Sequence, residues 1–158
     1  MQFQLFGKKH EESPTEFWQQ TAEKRGGPIG YMTYGSLLGR SGDTLVDLPG
    51  LVYTVGDSVW FEDFERDNWF ARIVTSKKKF EKTEFSFPRA DVTLVRMVSR
   101  GAAIRCISGN LPADRLPQLG FFGRIFSTPV IQVSMQGGTA LFFDILQRRE
   151  FIGLFATS

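Results

Sequence analysis

The chain has 158 residues, of which 42% are hydrophobic and 23% are charged, and its formal net charge is +2. This length fits one domain with a sizeable core, and so small a charge gives no strong field that would attract nucleic acid. Cys106 is the only cysteine, which excludes an internal disulfide and argues against a cysteine-based zinc site. The 16 phenylalanines and 16 glycines favour strands and tight turns over a helical bundle.

The N-terminal stretch MQFQLFGKKHEESP does not have the features of a targeting signal. Its basic pair follows the apolar residues, and its apolar run is short, whereas a signal peptide has the opposite order and a longer apolar region. No segment approaches the roughly 18 consecutive apolar residues of a membrane-spanning helix. We therefore expect a cytoplasmic location.

A helix is predicted over residues 13–25. Ser13 suits the N-cap, Pro14 the first helical position, and Glu16 the capping-box position. The Gly-Gly-Pro sequence that follows Arg25 predicts the end of the helix.

The glycine-rich segment that follows, up to residue 49, predicts a short extended piece at Tyr31–Tyr34 and then a loop. Glycines 35, 39 and 42 superficially resemble a phosphate-binding loop, but the Lys-Ser ending and the strand–loop–helix context of such loops are absent. We interpret them as a flexible linker. Residues 1–49 are thus predicted to be an N-terminal helix and extension, followed by a β domain over residues 50–158.

Within the β domain, periodicity and turn residues predict about seven short strands. The first two, Leu51–Thr54 and Val59–Phe64, flank a turn at Gly56-Asp57. The others are predicted at WFARIVT (69–75), Glu84–Phe87, VTLVRMV (92–98), AAIRCIS (102–108), and in a hairpin from TPVIQVSMQ to TALFFDIL around Gly137-Gly138. The spacing of Phe151, Ile152, Leu154 and Phe155 predicts a short amphipathic C-terminal helix.

The acidic residues of the aromatic stretch VWFEDFERDNWFARI give no catalytic pair. They are spread over two strand faces and a turn, so they do not converge as a general acid and base would: Glu62, Asp63, Glu65 and Asp67. The single histidine, His10, lies in the N-terminal segment, and Cys106 suits a small buried apolar role better than that of a nucleophile. We therefore expect no enzyme activity, cofactor or metal site.

The order and character of the β segments resemble the GRAM and pleckstrin-homology-like superfold, particularly its uncharacterised bacterial members. The resemblance covers residues 50–155 and is carried by "GLVYT", the aromatic strand "VWFEDF", "FSFPRADVTLVRMV" with its apolar-proline-polar-acidic-apolar pattern, the late hairpin, and "RREFIGLF". It implies a curved, barrel-like antiparallel sheet capped by a C-terminal helix. Proteins of this superfold dock lipids, peptides or proteins, usually without catalysis, and the fold does not choose among them. The basic pattern that binds phosphoinositides in eukaryotic pleckstrin-homology domains has no positional match here.

The segment between the irregular region and the late hairpin is the first candidate interface. It places four large apolar residues around a basic one: Phe121, Phe122, Ile125 and Phe126, with Arg124. Exposed, this set would form a partner-binding patch. The alternative interpretation is a short helix that folds over the mouth of the barrel and buries its rings, since burial of one Phe is worth about 1.5–3 kcal/mol.

The second candidate is the basic cluster Lys77, Lys78, Lys79 and Lys82. Each lysine near an anionic membrane contributes about 1 kcal/mol to binding. Alternatively, the lysines keep a hairpin tip and sheet edge soluble, since Glu81 and Glu84 dilute the cluster.

The leading functional hypothesis is a non-enzymatic module that docks a protein or peptide partner and is compatible with self-association. Peripheral binding to anionic membrane lipid through the lysine cluster is the alternative. A third class, a barrel that binds a small molecule or a lipocalin-like enzyme, would need an enclosed cavity with convergent polar groups, which no motif predicts.

Overall fold

The computed structural model describes residues 14–63 and 83–156. Four helices lie in this part of the chain: α1 (Pro14–Arg25), α2 (Arg100–Ile107), α3 (Phe121–Phe126) and α4 (Arg148–Gly153). The strands are β1 (Ile29–Arg40), β2 (Leu48–Val55), β3 (Ser58–Asp63), β4 (Glu84–Pro88), β5 (Val92–Ser99), β6 (Pro129–Met135) and β7 (Ala140–Ile145).

The prediction of a mainly β fold with a helix near each end is confirmed. The strands form one antiparallel sheet in the order β4-β3-β2-β1-β7-β6-β5. The predicted β2–β3 and β6–β7 hairpins are present. Helix α1 ends as predicted, with the N–H of Gly26, a residue in the left-handed region at φ +79°, donating to the carbonyl of Ala22 at 2.9 Å. The predicted extended run at residues 69–75 lies outside the described residues.

The sheet is strongly curled. Seven flat strands about 4.8 Å apart would separate the edge strands β4 and β5 by about 29 Å. Only the single turn Arg89–Asp91 links the end of β4 to the start of β5, and this short connection spans at most about 14 Å. The two edges are therefore brought together at this turn, although β4 and β5 do not pair.

Each face of the sheet has its own core. The inner face gathers side chains from strands β1 to β4, β6 and β7 around Phe61, Phe143 and Phe151, all of them fully buried. Phe151 comes from α4, so this helix covers the inner core. On the outer face, α2 packs Ala102, Ala103, Cys106 and Ile107 against the strand side chains Leu38, Val98 and Phe142.

Strand β1 corrects the prediction of a short extended piece followed by a flexible linker. It runs from Ile29 to Arg40 and pairs with both β2 and β7, so the sheet crosses the predicted boundary at residue 49. Glycine lowers strand propensity, but here it allows close packing. A Cβ at Gly39 would lie 3.0 Å from Ile107 of α2, and one at Gly35 would lie 2.9 Å from the carbonyl oxygen of Asp144 in β7. Tertiary packing thus outweighs local propensity.

The predicted strand AAIRCIS is wrong, because Arg100–Ile107 forms α2. The Ser99 side chain caps the helix and accepts the N–H of Ala102 at 3.1 Å. The buried residues, 102, 103, 106 and 107, have the three- and four-residue spacing of one helix face. The predicted buried apolar role of Cys106 is confirmed, since it is 1% exposed.

Candidate functional site

The irregular segment before α3 is fixed to the outer face of the sheet by a buried amide. Gln132 of β6 is fully buried, and its Nε2 donates to the carbonyl of Ala113 at 3.1 Å. Arg96 of β5 donates to the same carbonyl at 3.2 Å and to Gln132 Oε1 at 3.0 Å. Leu116 is 2% exposed and packs into the outer core. The segment leading to α3 is therefore an ordered support.

Helix α3 is attached beside the edge strand β5. The N–H of Leu119 donates to the carbonyl of Met97 at 3.0 Å, and after the helix the Arg100 N–H donates to the carbonyl of Thr128 at 3.0 Å. A Cβ at Gly123 would lie 2.7 Å from the side chain of Leu119, four residues earlier in the chain. The helix is thus tethered by backbone hydrogen bonds on both sides, and its glycine packs closely against Leu119.

The remaining described side chains of α3 point to solvent. Phe121 is 74% exposed, Phe122 73% and Ile125 61%, and the two rings form an edge-to-face pair with centroids 5.7 Å apart. We call these three residues the apolar patch. The interpretation of this segment as a short helix is correct. The burial of its side chains, which the same interpretation predicted, is wrong for all three residues. The side chains of Arg124 and Phe126, also predicted to contact a partner, lie outside what the structure describes.

The predicted lipid-contact cluster, Lys77, Lys78, Lys79 and Lys82, lies outside the described residues, as do His10, Glu65 and Asp67. Of the acidic residues in the aromatic stretch, Glu62 and Asp63 are described, and they occupy different hydrogen-bond networks. The Glu62 carboxylate accepts from Tyr53, whereas Asp63 Oδ2 accepts the N–H of Thr83 at 3.0 Å. The two carboxylates do not form a pair.

A partly buried ionic group that the sequence did not reveal joins α1 to the sheet. We call it the Arg25 cluster: Arg25, Tyr53, Glu62 and Glu84. The Tyr53 hydroxyl donates to Glu62 Oε2 at 2.7 Å and accepts from Arg25 Nε at 3.0 Å. Arg25 Nη2 lies 2.6 Å from Glu84 Oε1 and 3.4 Å from Glu62 Oε2. The guanidinium carbon also lies 3.8 Å from the centre of the Trp60 ring, an attractive cation–π geometry.

The electrostatics of the Arg25 cluster favour the ion pair. Burial by itself lowers the pKa of Arg25, but the hydrogen bonds and charges of Tyr53 and Glu84 outweigh it and raise the pKa overall. Burial also raises the pKa of Tyr53, as does its hydrogen bond to Glu62, so the phenol stays protonated and able to donate. These groups bind one another, which indicates that the cluster fastens α1 to β2, β3 and β4.

The Cys106 thiol is expected to be chemically inert in the folded protein. It is 1% exposed in the outer core, and burial raises its pKa, so little of the reactive thiolate is present at neutral pH. Its reaction with a disulfide reagent such as DTNB should be on the order of a hundredfold slower than in urea-unfolded protein. A native rate close to the unfolded rate would show that this side chain is accessible.

Within the described part of the chain, no group of three or more His, Cys, Asp or Glu residues is arranged to hold a metal ion. No helix among the same residues has the length and apolar character needed to cross a membrane.

Comparison with known proteins gives no functional assignment. Neither a family model nor a curated protein matches the chain. Among solved structures it is similar to the C-terminal domain of an unknown protein from Leishmania infantum, with 11% identity and a TM-score of 0.46, covering 87% of this chain and 88% of that one.

Proposed function

We propose that the protein is a pleckstrin-homology-like or GRAM-like binding module that docks a protein or peptide partner through the apolar patch of α3. The observation that carries this proposal is the exposure of Phe121 and Phe122 on an ordered, tethered helix. Full burial of a Phe side chain is worth about 1.5–3 kcal/mol, and this chain leaves two adjacent ones in water. A bound partner would recover that free energy.

The curled sheet covered by α4 supports a likeness to the barrel-like docking modules. The position of the apolar patch beside β5 supports a protein partner over a membrane. Strand β5 pairs with β6 on one side, and no described strand pairs with its other side. On that side the Met97 carbonyl already accepts the Leu119 N–H. A peptide can add backbone hydrogen bonds to the rest of the edge, whereas a lipid surface cannot continue the ladder.

Binding without catalysis agrees with the state of the described reactive groups. The Cys106 thiol is buried with a raised pKa. Glu62 is engaged with Tyr53 and Arg25 inside the Arg25 cluster. In this proposal these side chains have structural roles, and the energy of recognition comes from a few desolvated aromatic anchors.

The double variant Phe121→Ser/Phe122→Ser tests the proposal. Each aromatic anchor contributes about 2 kcal/mol or more to an interface, so the pair should weaken partner binding at least about a hundredfold. Because both rings are exposed, stability should change by no more than about 0.5 kcal/mol for each substitution. Proteins captured by the wild type but not by the variant would be purified and titrated against both by calorimetry.

Leu45→Ser is the matched control, because Leu45 is an apolar residue, 44% exposed, that lies in the loop between β1 and β2 and is not part of the apolar patch. It should bind the purified partner like the wild type. Sedimentation with vesicles of phosphatidylcholine and phosphatidylglycerol is the competing assay. The proposal of protein docking is overturned if the wild type binds vesicles, the double variant does not, and every purified protein binds the wild type and the double variant equally well. The apolar patch would then insert into a membrane.

A further inference from the structure

The curled sheet contains a cavity of about 490 Å³ that neither the apolar patch nor the Arg25 cluster uses. It lies at the turn between β6 and β7, whereas α4 follows the other end of β7. The cavity therefore occupies the end of the inner face that α4 leaves open. Its volume falls within the range of about 300–1,000 Å³ usual for small-molecule sites.

The floor of the cavity is the inner core itself. Leu37, Phe87 and Leu141 line it and are each less than a tenth exposed. The half-buried side chains of Leu48, Phe85 and Met135 extend the apolar lining and pack against the same core. An apolar chain placed here would exchange water for contacts with side chains that the fold already holds in place.

The rim is polar and includes a cation that forms no ion pair with the described residues. Arg40 lines the cavity, and its guanidinium forms no ion pair with any residue that the structure describes. Asp43 lies on the same rim, but its Oδ1 accepts the Thr44 N–H at 2.9 Å, which holds this carboxylate to its own loop. Asp63, the other nearby carboxylate, does not line the cavity. Among the described residues of the rim, the guanidinium is thus the group that can pair with an anionic ligand.

We propose that this cavity binds a linear amphiphile with a single anionic head, of the fatty-acid type. The alkyl chain lies on the floor formed by Leu37, Phe87 and Leu141, and the carboxylate pairs with Arg40 at the rim. A guanidinium recognises a carboxylate through two parallel N–H donors. This proposal does not depend on the docking function of the apolar patch.

Calorimetric titration with dodecanoate and with dodecanol, below the concentrations at which they aggregate, tests the assignment. Arg40→Gln should weaken dodecanoate binding about tenfold and leave dodecanol binding unchanged. Asp43→Asn removes a like charge and should strengthen dodecanoate binding about twofold. Both residues are exposed, so neither change disturbs the core. If Arg40→Gln strengthens dodecanoate binding or Asp43→Asn weakens it, the proposal that the ligand has an anionic head is contradicted.

A second variant tests the location. Thr139 is half-buried and lines the cavity, so Thr139→Trp should fill it and abolish binding of both ligands in a protein that still melts cooperatively. Thr44→Trp fills the exposed side of the same rim and provides the same test if the first variant does not fold. No saturable dodecanoate binding by the wild type, or full binding by a folded filled variant, would overturn the proposal. The Phe121→Ser/Phe122→Ser variant should bind dodecanoate normally.

Discussion

Replacement of Arg25 by methionine is expected to destabilise the protein by about 3 kcal/mol. The Arg25 and Glu62 side chains are 7% and 9% exposed, so the change would remove the Arg25 ion pair from a Glu62 carboxylate that stays buried. The Tyr53 hydroxyl would remain as a donor to Glu62, but a neutral donor does not replace the lost attraction of the guanidinium. Urea unfolding followed by circular dichroism would give the change in unfolding free energy.

Lys24→Met is the matched control for this prediction. Lys24 also pairs with Glu84, at 3.6 Å, but its side chain is 58% exposed, so its loss should cost no more than about 0.5 kcal/mol. The double variant Arg25→Met/Glu62→Gln also removes the buried negative charge and should recover part of the lost stability. A loss of unfolding free energy in the double variant that instead equals the sum of the losses in Arg25→Met and Glu62→Gln would lead to a different conclusion. That result would show that Arg25 stabilises the protein through the packing of its long side chain and not through its charge.

Phe151→Ala is expected to cost about 3–5 kcal/mol, the usual range for loss of a buried phenylalanine. Phe151 is fully buried, and its ring centroid lies 6.2 Å from Tyr31, 6.3 Å from Phe143 and 5.2 Å from Phe155. The substitution would open a cavity where α4 covers the inner core. This loss is a large share of the 5–15 kcal/mol that typically stabilises a domain, and thermal and urea unfolding would both report it.

Leu146→Ala is the control for Phe151→Ala. Leu146 also adjoins α4, but it is 75% exposed, so its truncation should change stability by less than about 0.5 kcal/mol. A comparable loss in both variants would mean that the region unfolds as a unit whichever side chain is removed. A loss of less than about 1 kcal/mol for Phe151→Ala would contradict the role of α4 as a cover of the inner core.

The elements predicted correctly are those whose signals lie within a few residues of one another. Helix α1 has Pro14 at its start and glycines at its end, and the β6–β7 hairpin has Gly137-Gly138 between two strong strands. The elements that were missed depend on distant contacts. Strand β1 is rich in glycine because β7 and α2 approach it closely. The segment that forms α2 has residues typical of a strand, and the cap at Ser99 was the local signal that could have identified it.

The candidate sites also could be predicted only where their residues lie close together in the sequence. The segment of the apolar patch could be identified from the sequence, because its phenylalanines lie close together in the chain. Whether Phe121 and Phe122 are buried depends instead on a tertiary contact, the hydrogen bond from Leu119 to Met97. Arg25, Tyr53, Glu62 and Glu84 come from one helix and three strands, so no spacing rule joins them. The cavity beside Arg40 exists only because the sheet curls.

The central place of β1 also has a consequence for synthesis. Residue 35 pairs with residue 145, so β1 leaves the ribosome long before its neighbour β7. At about 5–20 residues per second this delay is roughly 5 to 20 seconds. During that time β2 protects one edge of β1, while the other edge and the adjacent Leu37 and Leu38 are uncovered. Open strand edges of this kind are sites of aggregation, so the nascent chain spends its most vulnerable period before β7 emerges.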